Sequence, residues 1–151
     1  LANVVEIMAR NEETVSQLYR AYALKFPELE RLWSDLAHDE IDHATWLRSL
    51  SGSVGGKAGY SIRERFKPEA METFYKYLKT ELAKTELLDC SLAQALATAS
   101  YIEDSLLERK YFEIFASDSK DFKKVLNDLQ AATETHSKKV RDALVEHRKS
   151  S

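Results

Sequence analysis

The stretch LERLWSDLAHDEIDHATWL, residues 29–47, decides the fold. Leu29, Leu32, Trp33, Leu36 and Leu47 recur at helical spacing, which gives one long helix an apolar face for a core. Glu40 and His43 fall on that same face, at positions where burial favours apolar side chains. A carboxylate and an imidazole on a core line are costly unless something satisfies them.

Outward from this helix the same period continues in both directions. Val5, Met8, Val15, Tyr19, Tyr22 and Phe26 stripe a helix over residues 4–26, and Pro27 starts the next one, which stops at Ser51-Gly52. Residues 52–67 read as a glycine-rich connection that holds all four glycines of the chain. Pro68-Glu69 opens a helix to about residue 85, with Met71, Phe74, Tyr75, Leu78 and Leu82 on one side. A third long helix starts near Asp89, carries Leu92, Leu96, Ala99, Leu106 and Leu107, and ends near Phe115. Ser117-Asp118-Ser119 caps the last helix, striped by Phe122, Val125, Leu126, Leu129, Val140 and Leu144. The expected class is all-α: a single domain over 1–151, built as a four-helix bundle with ferritin-like connections. Two antiparallel helical hairpins are joined by a long crossover that contains a short helix.

Composition removes the competing classes. Four Gly and two Pro in 151 residues are too few for the turns of a β-sandwich or the phosphate loops of a Rossmann unit. A net charge of -3 gives no reason to expect a nucleic-acid partner. The basic run Lys138, Lys139, Arg141, Arg148 and Lys149 is interrupted by Asp142 and Glu146 and suits a helix C-terminus. No apolar run approaches the ~18 residues of a membrane span. The single Cys90 admits no intrachain disulfide and no CxxC knuckle, which fits a reducing, cytoplasmic setting.

The polar interruptions repeat from helix to helix. Glu12 breaks the first stripe, Glu40 and His43 the second, Glu103 the third, and Thr133 with His136 the last. Glu12 lies 15 residues before Pro27 and Glu40 13 after it; Glu103 lies 15 before Asp118 and Thr133 15 after it. At ~1.5 Å per residue all four stand roughly 20 Å from their turns, at one level of the bundle. Three carboxylates and two imidazoles that face each other need a cation between them or a buried hydrogen-bond network around them. A metal centre with oxygen and nitrogen ligands is the direct solution.

With these residues in place the chain resembles the rubrerythrin branch of the ferritin-like superfamily. Glu12 seven residues before Tyr19, the run Asp39-Glu40-Ile41-Asp42-His43, and Ala95-Leu96 leading to Glu103 look like that family's helix signatures. The resemblance implies iron as cofactor, with Glu12 and His43 on one ion, Glu40 bridging two, and Glu103 and His136 on the second. It implies redox chemistry on a small oxidant, peroxide or O₂, or on ferrous iron, with zinc as a substitute metal. It also implies an external electron donor of unspecified kind and a homodimer, to which aromatics such as Trp46 would contribute.

Two departures stand out. The family's bridging Glu on the last helix is Thr133 here, and these 151 residues, with one Cys, hold no rubredoxin-like cysteine motif. Two ferrous ions against three carboxylates leave a +1 charge in a low-dielectric core, which a bound anion offsets or the loss of one ion avoids. A metal-binding but non-catalytic bundle and a metal-free interaction protein therefore stand as alternatives.

Other motifs have plainer readings. Gly52-Ser-Val-Gly-Gly-Lys-Ala58 is one residue short of a phosphate loop and follows a helix, so it reads as a connection. Asp35 and His38 align with Asp42 on a solvated face, and His147 lies in a fraying last turn. Cys90 is expected to be a buried, small apolar residue near a helix start.

Overall fold

The computed structural model describes residues 2–49, 68–108 and 120–150. Over these residues the chain is all-helical: α1 (Ala2–Lys25), α2 (Glu30–Ser49), α3 (Pro68–Leu87), α4 (Leu92–Glu108) and α5 (Lys120–Ser150), with a 3₁₀ turn at Pro27–Leu29 before α2. The 52–67 connection, the Ser117–Ser119 cap and the end of the third helix near Phe115 lie outside the described residues. So do the side chains of Leu107, Phe122, Val125 and Leu126. No helix among those described is long and apolar enough to cross a membrane.

The break at Pro27 has a local cause. Proline lacks the N–H that α1 would need to continue, and Phe26 leaves helical geometry at φ −123°, ψ 74°. The chain reverses there, and contacts along both helices show α1 and α2 antiparallel. Arg48 reaches Glu6 near one end (2.8 Å), and Ser16 Oγ donates to the Ala37 carbonyl nearer the turn (2.7 Å).

The α3–α4 junction, which has no Gly or Pro, spans 88–91: α3 runs to Leu87 rather than to about residue 85, and α4 starts at Leu92 rather than near Asp89. Ser91 is the cap: its Oγ accepts from the Gln94 N–H (3.1 Å), and Gln94 Oε1 accepts from the Ser91 N–H (2.9 Å). This reciprocal capping box satisfies two backbone donors that a helix start otherwise leaves bare. On the other side, Lys25 Nζ donates to the carbonyls of Thr85 (3.0 Å) and Leu88 (2.7 Å), placing a cation at the negative end of α3. Cys90 sits in this turn, outside both helices, and is half-buried rather than buried.

The helix in the crossover is not short: α3 has 20 residues, as many as α2. It lies parallel to α1, tied by Arg10–Glu72 (2.8 Å) and Asn11 to the Met71 carbonyl (3.2 Å) at one end and by Lys25 at the other. Between α4 and α5, Ser137 Oγ donates to Asp104 (2.9 Å), while Leu92 shares a cavity of about 260 Å³ with Ala143, Glu146 and His147. These two helices are therefore antiparallel. The core draws Tyr19, Tyr22 and Leu18 from α1, Trp33 and Leu36 from α2, Leu78 from α3, Leu96 and Ile102 from α4, and Leu129 from α5. Tyr19, Trp33 and Tyr22 pack in series, with ring centroids 5.7 and 4.9 Å apart.

Ser91→Ala removes one half of the capping box. It is expected to destabilise the protein by ~1 kcal/mol, measured as a lower denaturant midpoint with an unchanged slope.

Candidate metal centre

Four helices turn five polar side chains inward at about the same level, two of them from α2. Glu12 projects from α1 between Met8 and Val15; Glu40 and His43 project from α2 among Leu36, Ala44 and Leu47. Glu103 projects from α4 between Ala99 and Leu106, and His136 from α5 between Leu129 and Val140. All five are buried, none more than 3 % exposed, so water satisfies none of them freely. The spacing explains the convergence: His43 follows Glu40 by three residues, one turn along the same face.

Glu40 is at the middle. Its Oε1 accepts from His136 Nδ1 at 2.9 Å, and its Oε2 lies 3.4 Å from His43 Nδ1. Glu12 Oε2 is 3.9 Å from His43 Nδ1, and Glu103 Oε1 is 3.7 Å from His136 Nδ1. The cluster thus has two halves, Glu12 with His43 and Glu103 with His136, which share Glu40. The imidazole rings stack across the middle with centroids 5.3 Å apart. One ligand atom each from Glu40, His43 and His136 falls within 4.8 Å of the other two, close enough for a single ion to reach all three.

The buried oxygens are not all used. Oε2 of Glu12, of Glu40 and of Glu103 each lacks a hydrogen-bond partner among the described residues. Three orphaned carboxylate oxygens in one dry pocket are expensive, and a cation is the partner that suits them all. The donor set of carboxylate oxygen and imidazole nitrogen fits iron, manganese or zinc.

Without a cation, protons carry part of the balancing charge. Burial raises the Glu12 pKa well above the carboxylate range, and the charge and hydrogen bond of Glu40 and the charge of Glu103 add to it. Burial and the Glu40 charge also raise Glu103, partly offset by His136 and Tyr19. Burial works against ionised Glu40, but hydrogen bonds from Glu12, His136 and His43 overcome it and hold the group low. Burial likewise opposes protonated His136, yet hydrogen bonds to Glu103 and Glu40 push it up to about 11. In the cation-free cluster, then, Glu12 and Glu103 are shifted toward their neutral forms, while Glu40 and His136 hold each other toward the ionised pair.

Two further residues complete the surroundings. His136 donates its other nitrogen, Nε2, to Asp39 Oδ2 at 3.0 Å, and that carboxylate is 43 % exposed. Tyr19 donates its hydroxyl to Glu103 Oε1 at 2.8 Å. Tyr19 stood out in the sequence only by its distance from Glu12. Asp39 was visible in the motif but carried no role, because the turn of α2 relative to α5 decides whether it meets His136. Thr133 is buried at the same level, and its hydroxyl is spent on the Leu129 carbonyl at 2.9 Å. His38 and Asp42 face solvent 3.8 Å apart.

Comparison with protein-family models, with curated proteins and with solved structures finds no match to this chain.

The proton inventory sets a pH dependence. His136 stabilises the folded, cation-free protein fully below its ordinary 6.5, and this contribution is lost as pH rises towards 11. Glu12, raised by burial, costs more to ionise in the fold as pH climbs above 4.5. Glu40, held low, contributes above 4.5, and that contribution is lost as pH falls. The melting temperature of the chelated protein should therefore fall between pH 6.5 and about 8.5. A Zn²⁺ ion bound here would have to displace protons from Glu12 and His136, so any Zn²⁺ affinity should rise over the same interval with proton release into weak buffer. A flat melting temperature with no proton release on binding would contradict this assignment.

Proposed function

We propose that the chain is a ferritin-like bundle of the rubrerythrin kind whose buried cluster binds iron for redox chemistry on peroxide, O₂ or ferrous iron. The observation that carries this reading is the set of three orphaned carboxylate oxygens, from three different helices, facing two imidazoles. α2 and α4 start from the same end of the bundle with α3 returning between them, an order compatible with a ferritin-like crossover and equally with simple alternation of successive helices.

In this reading Glu12, Glu40 and Glu103 would hold the iron through carboxylate oxygens, and His43 and His136 would supply neutral nitrogen. Bound iron would supply the electrons that reduce the oxidant. The protein's own part is to hold the ligands and keep bulk water out. Tyr19 keeps Glu103 in place, and Trp46 covers the outer side of His43 with ring centroids 5.2 Å apart. Without metal, His136 links half-exposed Asp39 to Glu40 by hydrogen bonds; with metal on Nδ1, Asp39 would hold the remaining ring proton on Nε2 and orient the imidazole.

A second reading, cation binding without turnover, draws on Thr133. With its hydroxyl committed to Leu129, the cluster has three carboxylates where a neutral diferrous pair needs four.

Anaerobic loading of the full chain with Fe²⁺, followed by peroxide, tests both readings. Bound iron should stabilise the fold, by ~2.7 kcal/mol at a hundredfold excess over Kd, and peroxide should convert it to the ferric state. Glu40→Ala should lose binding, the thermal shift and oxidation together. Binding without oxidation would favour the second reading, and no binding would end both.

A further inference from the structure

The two halves of the cluster are alike in ligands but not in support. In the Glu103–His136 half every ligand is held from behind. Asp39 fixes His136 through Nε2 at 3.0 Å, which leaves Nδ1 as the nitrogen facing the cluster. Tyr19, itself fully buried and packed on Trp33, holds Glu103 Oε1 at 2.8 Å and leaves Oε2 orphaned inside the pocket. One residue further along both helices, Ser137 ties α5 to Asp104 of α4 at 2.9 Å.

The Glu12–His43 half has no such backing. His43 makes its close polar contacts with Glu40 at 3.4 Å and Glu12 at 3.9 Å, and no residue among those described holds its far nitrogen. Its outer neighbour is the ring of Trp46, which is 38 % exposed. Glu12 has an orphaned Oε2 and no hydroxyl or amide behind it among the described residues.

We propose that these halves bind divalent cations in a fixed order: Glu103–His136 with Glu40 first, and Glu12–His43 second and more weakly. This deepens the proposed function and rests on its reading of the cluster as a cation site. Two effects point the same way. The first half is preorganised, whereas the second must order an imidazole and a carboxylate when it binds, which weakens its affinity. The second ion also arrives next to the first, shares Glu40 with it, and finds only three carboxylates to balance both. The chain therefore passes through a one-cation state over a range of metal concentration. Asp39 and Tyr19 are positioning residues for that first ion.

Anaerobic titration of the full chain with Co²⁺ tests the order, with native mass spectrometry for the count and visible absorption for the ligand field. Wild type should show a one-ion species before a two-ion species, with the steps at least about tenfold apart in affinity. Asp39→Asn keeps the shape of a half-exposed side chain and should weaken the first step by about 10–100-fold and shift its spectrum. Tyr19→Phe should weaken the same step, and His43→Ala should remove the second step while sparing the first. Two ions that enter together, or a first step lost in His43→Ala and untouched in Asp39→Asn, would overturn the order while leaving cation binding intact. A wild-type chain that binds no Co²⁺, Zn²⁺ or Fe²⁺ at all would overturn the cation reading itself, and the order with it.

Discussion

The structure depends on one buried carboxylate. Glu40 sits between two imidazoles and two other carboxylates, 1 % exposed, in a core otherwise built from Leu, Ile, Val and aromatic side chains. An ion in such a place costs several kcal/mol unless its partners return the loss. Everything at this level of the bundle is arranged for that return. α2 supplies His43, α5 supplies His136, and α1 supplies a carboxyl group that burial keeps protonated.

Protons carry the balancing charge of the cation-free cluster: Glu12 and His136 are shifted toward their protonated forms and Glu40 toward its ionised one. A divalent cation that bound here would compete with those protons, because carboxylate and imidazole ligate in their deprotonated forms.

Much of this was legible in the sequence because two periodicities coincide. The 3.6-residue stripe marks which side of each helix is buried, and the distance from each turn marks the height, so Glu12, Glu40, Glu103 and His136 meet without any long-range information. The α3–α4 break was misplaced by about two residues because the signal was a capping box, Ser91 with Gln94, and not a glycine or proline. The position of α3 beside α1 was not legible at all. It depends on tertiary contacts such as Lys25 with the end of α3, and no local pattern encodes those. Asp39 was hidden for a similar reason: it is half-exposed, so burial gave no cue, and only the approach of α5 gives it a partner.

Thr133 is buried at the level of the cluster without joining it. Its hydroxyl donates to the Leu129 carbonyl of its own helix, a bond that asks nothing of the centre and offers it nothing. The two halves differ in the shell behind them: Asp39 and Tyr19 on one side, a partly exposed indole on the other. Where ligands repeat and support does not, the support decides how firmly each ligand is held.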